Sequence, residues 1–177
     1  MKFVYGCVLV FAGLVYWMLF GEPSYEENEL ARFAIDGSDG LSPDVARVDA
    51  VFDPEVSSDR GGSLRIDADG PVFVELASVP GEDEDVSFRQ LLYEARVKTR
   101  DARGPVFLVM QAGIGPGMPV SGVEHALTGS HDWTTLRAAA GNPGGTRLDG
   151  VTKLQLEIAG SGTVWIDDLR LVSRRAR

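Results

Sequence analysis

Short runs of alternating apolar and polar residues constrain the fold of this chain more than any other feature. From residue 30 onward, clusters of Gly, Pro, Asp and Ser separate these runs, which is typical of serial antiparallel strands. Two sheets of such strands bury their apolar sides against each other, so the sequence predicts an all-β sandwich. The candidate strands cover residues 30–36, 45–52, 63–67, 72–79, 90–100, 106–111, 133–139, 153–158 and 163–172.

The fifth of these runs has one polar side. Tyr93 and Val97 alternate with Glu94, Arg96 and Lys98, so one face of this strand is predicted to be exposed to solvent. The preceding residues Phe88, Leu91, Leu92 and Ala95 also fit a helical spacing. A short helical turn before the strand is therefore an open alternative.

A second feature is the uncharged stretch of residues 3–20. At roughly 1.5 Å per residue it spans about 27 Å, close to the thickness of a bilayer core, and it predicts one transmembrane α-helix. A cleaved signal peptide is the alternative, but the A-x-A-like cleavage pattern is missing before Glu22, which favours an uncleaved anchor.

Charges flanking the stretch predict its orientation. Lys2 precedes it, whereas Glu22 and three further glutamates follow, so the positive-inside rule places the N-terminus in the cytoplasm. The sequence then predicts a single-pass protein of a bacterial inner membrane with a periplasmic domain. Residues 1–21 form the anchor, 22–29 an acidic linker and 30–177 the β-sandwich.

Composition excludes several classes of protein. The lone Cys7 excludes a disulfide framework and a cysteine zinc site in the domain. The net charge of −9 argues against a nucleic-acid partner. Charge is unevenly divided, since residues 22–87 hold 18 acidic and 4 basic residues, whereas 88–177 hold 8 acidic and 12 basic ones.

The final strand carries an acidic residue in an apolar row. By strict alternation Thr163, Trp165, Asp167, Leu169 and Leu171 share one side of the strand. An aspartate in such a row needs a partner.

Four segments resemble the galactose-binding-like jelly roll that many carbohydrate-binding modules share. They are GGSLRI at 61–66, LLYEARVKTRD at 91–101, TGSHDWTTL at 128–136 and GSGTVWIDDLRLV at 160–172. The resemblance covers residues 31–172 and implies a jelly-roll β-sandwich. It also implies a structural calcium ion, whose ligands would be Asp167, Asp59 and either Asp36 or Asp39. The alternative is an Asp167 that accepts hydrogen bonds from loop amides.

No catalytic constellation is recognisable in the sequence. His125 and His131 lack accompanying ligands and are predicted to be solvated loop residues, and GIGPG at 113–117 lacks the Lys-Ser/Thr of a phosphate loop. Because no nucleophile, base and orienting group can be placed together, we expect no enzymatic activity.

The aromatic residues favour a role in assembly over sugar binding. Trp133, Trp165 and Tyr93 are predicted to pack in the core, which leaves few rings for a sugar platform. We therefore expect a non-enzymatic accessory subunit of a membrane protein complex, and the alternative is a membrane-anchored carbohydrate-binding module. Expected partner contacts are small residues of the anchor and the apolar tip of a long loop at 113–131, namely Gly6, Ala12, Gly13, Met118, Pro119 and Val120.

Overall fold

A computed structural model describes residues 25–33, 35, 44–45, 48–59, 61–80, 90–113, 119–122, 125–141 and 150–176. These residues form nine β-strands and no α-helix. The strands are β1 (Tyr25–Phe33), β2 (Ala50–Asp53), β3 (Ser63–Ala68), β4 (Val72–Val79), β5 (Gln90–Gly113), β6 (Pro119–Gly122), β7 (Leu127–Gly141), β8 (Thr152–Ile158) and β9 (Gly162–Ala176).

The strands pair in one antiparallel sheet that curls into two layers, and the long strand β5 takes part in both. Residues 90–100 of β5 pair with β9 and β7, whereas residues 106–111 pair with β8. The front layer comprises β7, the first half of β5, β9, β3, β2 and β1; the back layer comprises the second half of β5, β8, β4 and β6. The predicted all-β sandwich is confirmed, and its curled sheet is consistent with a jelly roll.

The core lies between the layers. Tyr93 and Val97 of β5 face Leu108, Leu154 and Leu156 of the back layer, and all five are fully buried in one cluster. Burial of each leucine stabilises the fold by about 2 kcal/mol. Burial also raises the pKa of the Tyr93 hydroxyl.

A corner in β5 joins the two layers. Its backbone leaves regular geometry at Asp101, where φ is 55°, and its register with β7 shifts repeatedly between Val97 and Val106. The β8–β9 turn packs against this corner, where the Arg103 amide donates to the Ser161 carbonyl at 2.8 Å. The two strands predicted at 90–100 and 106–111 are thus one bent strand.

A bulge in β9 changes which side chains face the core. Asp168 has a φ of 49°. The two steps of β5 from Glu94 to Arg96 stand opposite three steps of β9, from Arg170 to Asp167. Val164 and Ile166 enter the core before the bulge, and Leu169 and Leu171 enter it afterwards. The predicted shared row is therefore wrong at Leu169 and Leu171, because the extra residue reverses the alternation.

Three segment boundaries differ from those predicted. Strand β1 begins at Tyr25, inside the predicted linker, and pairs with the end of β9 from Tyr25 opposite Ala176. Strand β6 and the first residues of β7 lie within the predicted loop 113–131. The helical turn is wrong from Gln90 onward, where Leu91, Leu92 and Ala95 belong to β5.

The predicted anchor lies outside the residues that the structure describes. Among those it does describe, no helix is long and apolar enough to span a membrane.

Candidate functional site

The outer face of the front layer carries an open cleft of about 410 Å³. Residues 98–100 of β5 and 130–132 of β7 line it, together with Trp165 of β9 and Val56 from the loop after β2. Because three adjacent strands and one loop contribute, the cleft exists only once the front layer has formed.

Trp165 lines this cleft and does not belong to the core cluster between the layers. Its indole N–H donates to Asp53 at 3.0 Å, and the guanidinium carbons of Arg100 and Arg65 stand 5.1 and 5.9 Å from the ring centroid. Such cation–π contacts are each worth about 0.5–2 kcal/mol. With 5% of its surface exposed, the ring is almost covered by these neighbours.

The predicted burial of Trp165 is confirmed, but neither tryptophan belongs to the core cluster between the layers. Trp165 occupies the outer side of β9, since Val164 and Ile166 take the inner side. Trp133 is half-buried and also lies outside the core cluster. Tyr93, in contrast, is fully buried as predicted.

Asp53 ties the end of β2 to the cleft. One carboxylate oxygen accepts the Trp165 indole N–H, and the other accepts the amides of Glu55 and Val56 at 3.1 and 3.2 Å. These donors, the indole first, hold the pKa of Asp53 below its usual value. The same carboxylate thus orients the tryptophan and fixes the loop that bears Val56.

Asp167 anchors the same loop from β9. It is 4% exposed and accepts hydrogen bonds from the Ser58 amide at 2.9 Å, the Ser58 hydroxyl at 2.8 Å and the Asp168 amide at 2.8 Å. An amide-bonded Asp167 is the arrangement expected in the alternative to a calcium site.

Calcium takes six to eight oxygen ligands, several of them commonly carboxylates. Within the ranges that the structure describes, no three His, Cys, Asp or Glu side chains are placed to hold a metal ion. Asp59 is exposed in the loop after β2, and Asp36 and Asp39 lie outside the described residues. The calcium ion therefore stays a prediction.

The β7 side of the cleft is fixed by hydrogen bonds to the corner of β5. The Thr99 hydroxyl donates to the Gly129 carbonyl at 2.9 Å and accepts the His131 amide at 3.1 Å. The Ser130 hydroxyl accepts the Asp101 amide at 2.9 Å. These bonds hold the side chains of 130–132 at the edge of the cleft despite the irregular register there.

Alternate residues of β5 place three cations along the cleft side of the strand. Arg96 donates to the Thr135 hydroxyl at 3.1 Å, and Lys98 forms an ion pair with Asp132 at 2.9 Å. This lysine holds the pKa of Asp132 below its usual value. Arg100 is exposed and makes no ion pair with any carboxylate in the described part of the chain.

The remaining predicted residues that the structure describes do not line this cleft. Pro119 and Val120 lie in β6, opposite Gly113 and Ala112 of β5, and not at the tip of a loop. Gly6, Ala12, Gly13 and Met118 lie outside the described residues. No finding tests these six as partner contacts.

Sequence reasoning missed most of the cleft. His131, which the sequence predicts to be a solvated loop residue, is exposed. It lies in β7, however, and lines the cleft, with Nε2 2.9 Å from the Thr128 carbonyl. His125 is exposed as predicted. The alternation of Arg96, Lys98 and Arg100 was the available signal, but only strand pairing shows that Trp165 stands opposite Lys98.

Comparisons by sequence and by structure give different results. No protein-family model matches the sequence, and no curated protein matches it. The fold, however, is similar to that of several solved carbohydrate-binding modules.

One is the CBM22-1 xylan-binding domain of Paenibacillus barcinonensis Xyn10C, with a TM-score of 0.56 and 11% identity over 87% of this chain and 99% of that domain. Another is the C-terminal family 22 module of Clostridium thermocellum Xyn10B, with a TM-score of 0.56 and 11% identity over 82% of this chain and 94% of that one. A family 16 carbohydrate-binding module has a TM-score of 0.53 and 13% identity over 77% and 93% of the two chains. The chain therefore has a β-sandwich fold like that of carbohydrate-binding modules.

Proposed function

We propose that the β-sandwich is a non-catalytic glycan-binding module whose ligand lies in the cleft over Trp165. The observation that carries this proposal is the open cleft itself, a concave surface on the outer side of one layer with hydrogen-bonding side chains at its edge. Its open form suits an internal segment of a polysaccharide. The fold shared with carbohydrate-binding modules adds support by analogy.

The lining of the cleft favours binding over hydrolysis. Most glycoside hydrolases use a pair of carboxyl groups that flank the bond to be cleaved. The described lining contains one carboxylate, Asp132, and that group is paired with Lys98. Ser130, His131 and Lys98 instead offer hydrogen bonds that suit sugar hydroxyls.

The proposal is tested by binding of soluble polysaccharides to the full-length chain in mild detergent. The panel includes neutral and acidic polymers, and affinity electrophoresis and calorimetry measure the dissociation constants. We expect His131→Ala to weaken binding about fivefold, since about 1 kcal/mol is typical for the loss of one polar contact. The indole N–H resonance of Trp165, assigned with Trp165→Phe, is expected to shift on binding.

Phe73→Ala is the matched control for this experiment. Phe73 lies on β4 in the back layer with 57% of its surface exposed, and it is the most exposed aromatic ring in the described part of the chain. Binding that survives Phe73→Ala but weakens in His131→Ala supports the cleft. The reverse result would locate the glycan on the back layer and contradict the proposed site.

A subunit of a membrane protein complex is the second candidate function, and the uncharged residues 3–20 favour it. In this proposal a single inner-membrane helix holds the sandwich in the periplasm, and the sandwich carries a structural calcium ion. The two functions are compatible, because a membrane-anchored subunit can also bind a glycan.

A further inference from the structure

We propose that the cleft selects acidic polysaccharides, with Arg100 binding the carboxylate of a uronic acid unit. This inference rests on the proposed glycan-binding function and names its ligand class. It follows from three features of the cleft: the lack of an ion pair at Arg100, the exposed ion pair between Lys98 and Asp132, and the covered ring of Trp165.

The position of the Arg100 side chain favours binding of an anion. Its guanidinium stands 5.1 Å from the centroid of the Trp165 ring, and this contact restricts the conformations of a flexible side chain. The planar group nevertheless keeps its N–H donors at its edge, in the fork that matches a carboxylate in bidentate geometry. Asp67 interacts electrostatically with Arg100, but its ion pair is with Arg65, and no described carboxylate lies within ion-pair distance of Arg100. A ligand carboxylate therefore displaces no internal ion pair there.

Lys98 can contribute a second cation. Its partner Asp132 has 86% of its side-chain surface exposed, and solvent screens such an exposed ion pair, so the pair contributes little to stability. A ligand carboxylate can therefore take the place of Asp132 at little cost. Lys98 and Arg100 are two residues apart on β5, about 7 Å along the strand, so a polymer lying along β5 meets both cations.

Trp165 is poorly placed to bind a neutral sugar. Stacking on the apolar face of a pyranose requires an open aromatic face, yet the ring is 5% exposed beneath its arginine neighbours. Arg65 differs from Arg100 in that it is already paired with Asp67 at 2.6 Å. The surface that meets the ligand is therefore the edge of the Arg100 guanidinium, which favours a carboxylate over an uncharged ring.

The test compares polygalacturonate with the same polymer after reduction of its carboxyl groups to primary alcohols. Both are titrated against the full-length chain in mild detergent, at low and at high salt. We expect the reduced polymer to bind at least tenfold more weakly, and the affinity for polygalacturonate to fall as salt rises. Arg100→Gln is expected to lower that affinity about tenfold, and Arg100→Lys is expected to restore it only partly, because ammonium lacks the planar fork.

Arg103→Gln is the matched control. Arg103 is exposed, lies three residues further along β5 and is not part of the cleft lining, so the substitution removes the same charge elsewhere. Unchanged affinity in Arg103→Gln supports the inference. An equal loss in both variants would overturn it, because net charge alone would then explain binding.

Three other outcomes separate the inference from the proposed function. Equal binding of the native and reduced polymers, weakened by His131→Ala, would overturn acid selectivity while retaining glycan binding. Binding of a sulfated polymer without binding of polygalacturonate would overturn the assignment to a carboxylate. Absence of binding to every polymer would overturn both. Circular dichroism of each variant establishes that it is folded.

Discussion

At the residue scale, Asp53 and Trp165 explain how a loop and a strand form one surface. The indole donates to one oxygen of Asp53, while the other oxygen caps the backbone of Glu55 and Val56. The loop that bears Val56 is tied a second time where Ser58 donates to Asp167. Two carboxylates thus position the β2 side of the cleft.

Asp53 predicts a dependence of stability on pH. Its folded pKa is lowered, so its contribution is present above the usual carboxylate pKa of about 3.9 and is lost as pH falls through the lower folded value. We expect Asp53→Asn to reduce the free energy of unfolding by about 1 kcal/mol at pH 7, and by less at pH 2–3. Urea unfolding of the full-length chain in mild detergent, followed by circular dichroism, measures the difference.

Trp165→Phe provides the control for this effect. It removes the indole donor while keeping an aromatic ring, so Asp53→Asn should cost less in the Trp165→Phe background than alone. A gap between wild type and Asp53→Asn that stays constant from pH 7 to pH 2 would contradict the assigned role of the charged carboxylate.

At the element scale, the corner of β5 depends on glycine in the neighbouring turn. Gly162 begins β9 with a φ of 145°, and a Cβ atom there would lie 2.7 Å from the Cα of Ala102. Only glycine tolerates both the backbone angle and the close approach. The contact lets the β8–β9 turn wrap around the strand where it passes from one layer to the other.

Gly162→Ala tests the corner. We expect it to destabilise the fold by about 2 kcal/mol or more, which lowers Tm by roughly 5 °C for a chain of this length. Gly70→Ala is the matched control, since a Cβ atom at Gly70 meets no atom within 4 Å. Thermal unfolding by circular dichroism measures both, and a similar Tm for the two variants would contradict the packing argument.

The buried Glu94 is held by ion pairs that the alternation of side chains along β5 does not predict. Glu94 of β5 lies on the face predicted to be exposed to solvent, yet its side chain is 5% exposed because Arg137 of β7 and Arg170 of β9 both bind it. The alternation correctly gave the face of Glu94. Its burial follows from arginines 43 and 76 residues away, which strand pairing alone brings together.

At the scale of the whole molecule, the uneven distribution of charge along the sequence appears again at the cleft. Its basic residues, Lys98 and Arg100, come from the half of the chain in which basic residues exceed acidic ones. An acidic protein can therefore carry a positively charged site that binds an acidic ligand, because net charge does not determine the charge of one surface.

Membrane attachment is also a property of the whole chain. If residues 3–20 form an uncleaved anchor, the full-length protein should remain with membranes after an alkaline wash and be released by detergent. Deletion of residues 1–21 should release it without detergent. Cell fractionation with mass measurement of the mature chain checks this, and a soluble mature chain lacking its first twenty residues would contradict the anchor.

The partner prediction is tested in the same preparation. Native mass measurement in mild detergent should reveal stoichiometric partners if the protein is a complex subunit, and Gly13→Leu should reduce their recovery if the anchor packs through small residues. A monomer in native membranes would contradict the assembly role while leaving glycan binding intact.

Local chemistry in the sequence determined the all-β class, most strand positions and the buried side of β5, because alternation and turn residues act over a few neighbouring positions. The extra residue at Asp168 and the corner at Asp101 were decided only in the tertiary structure, since a bulge needs a partner strand to define it. The cleft, too, arises only in the tertiary structure. Trp165, Arg100 and His131 are distant in the chain, and only the pairing of β5 with β7 and β9 makes them one surface.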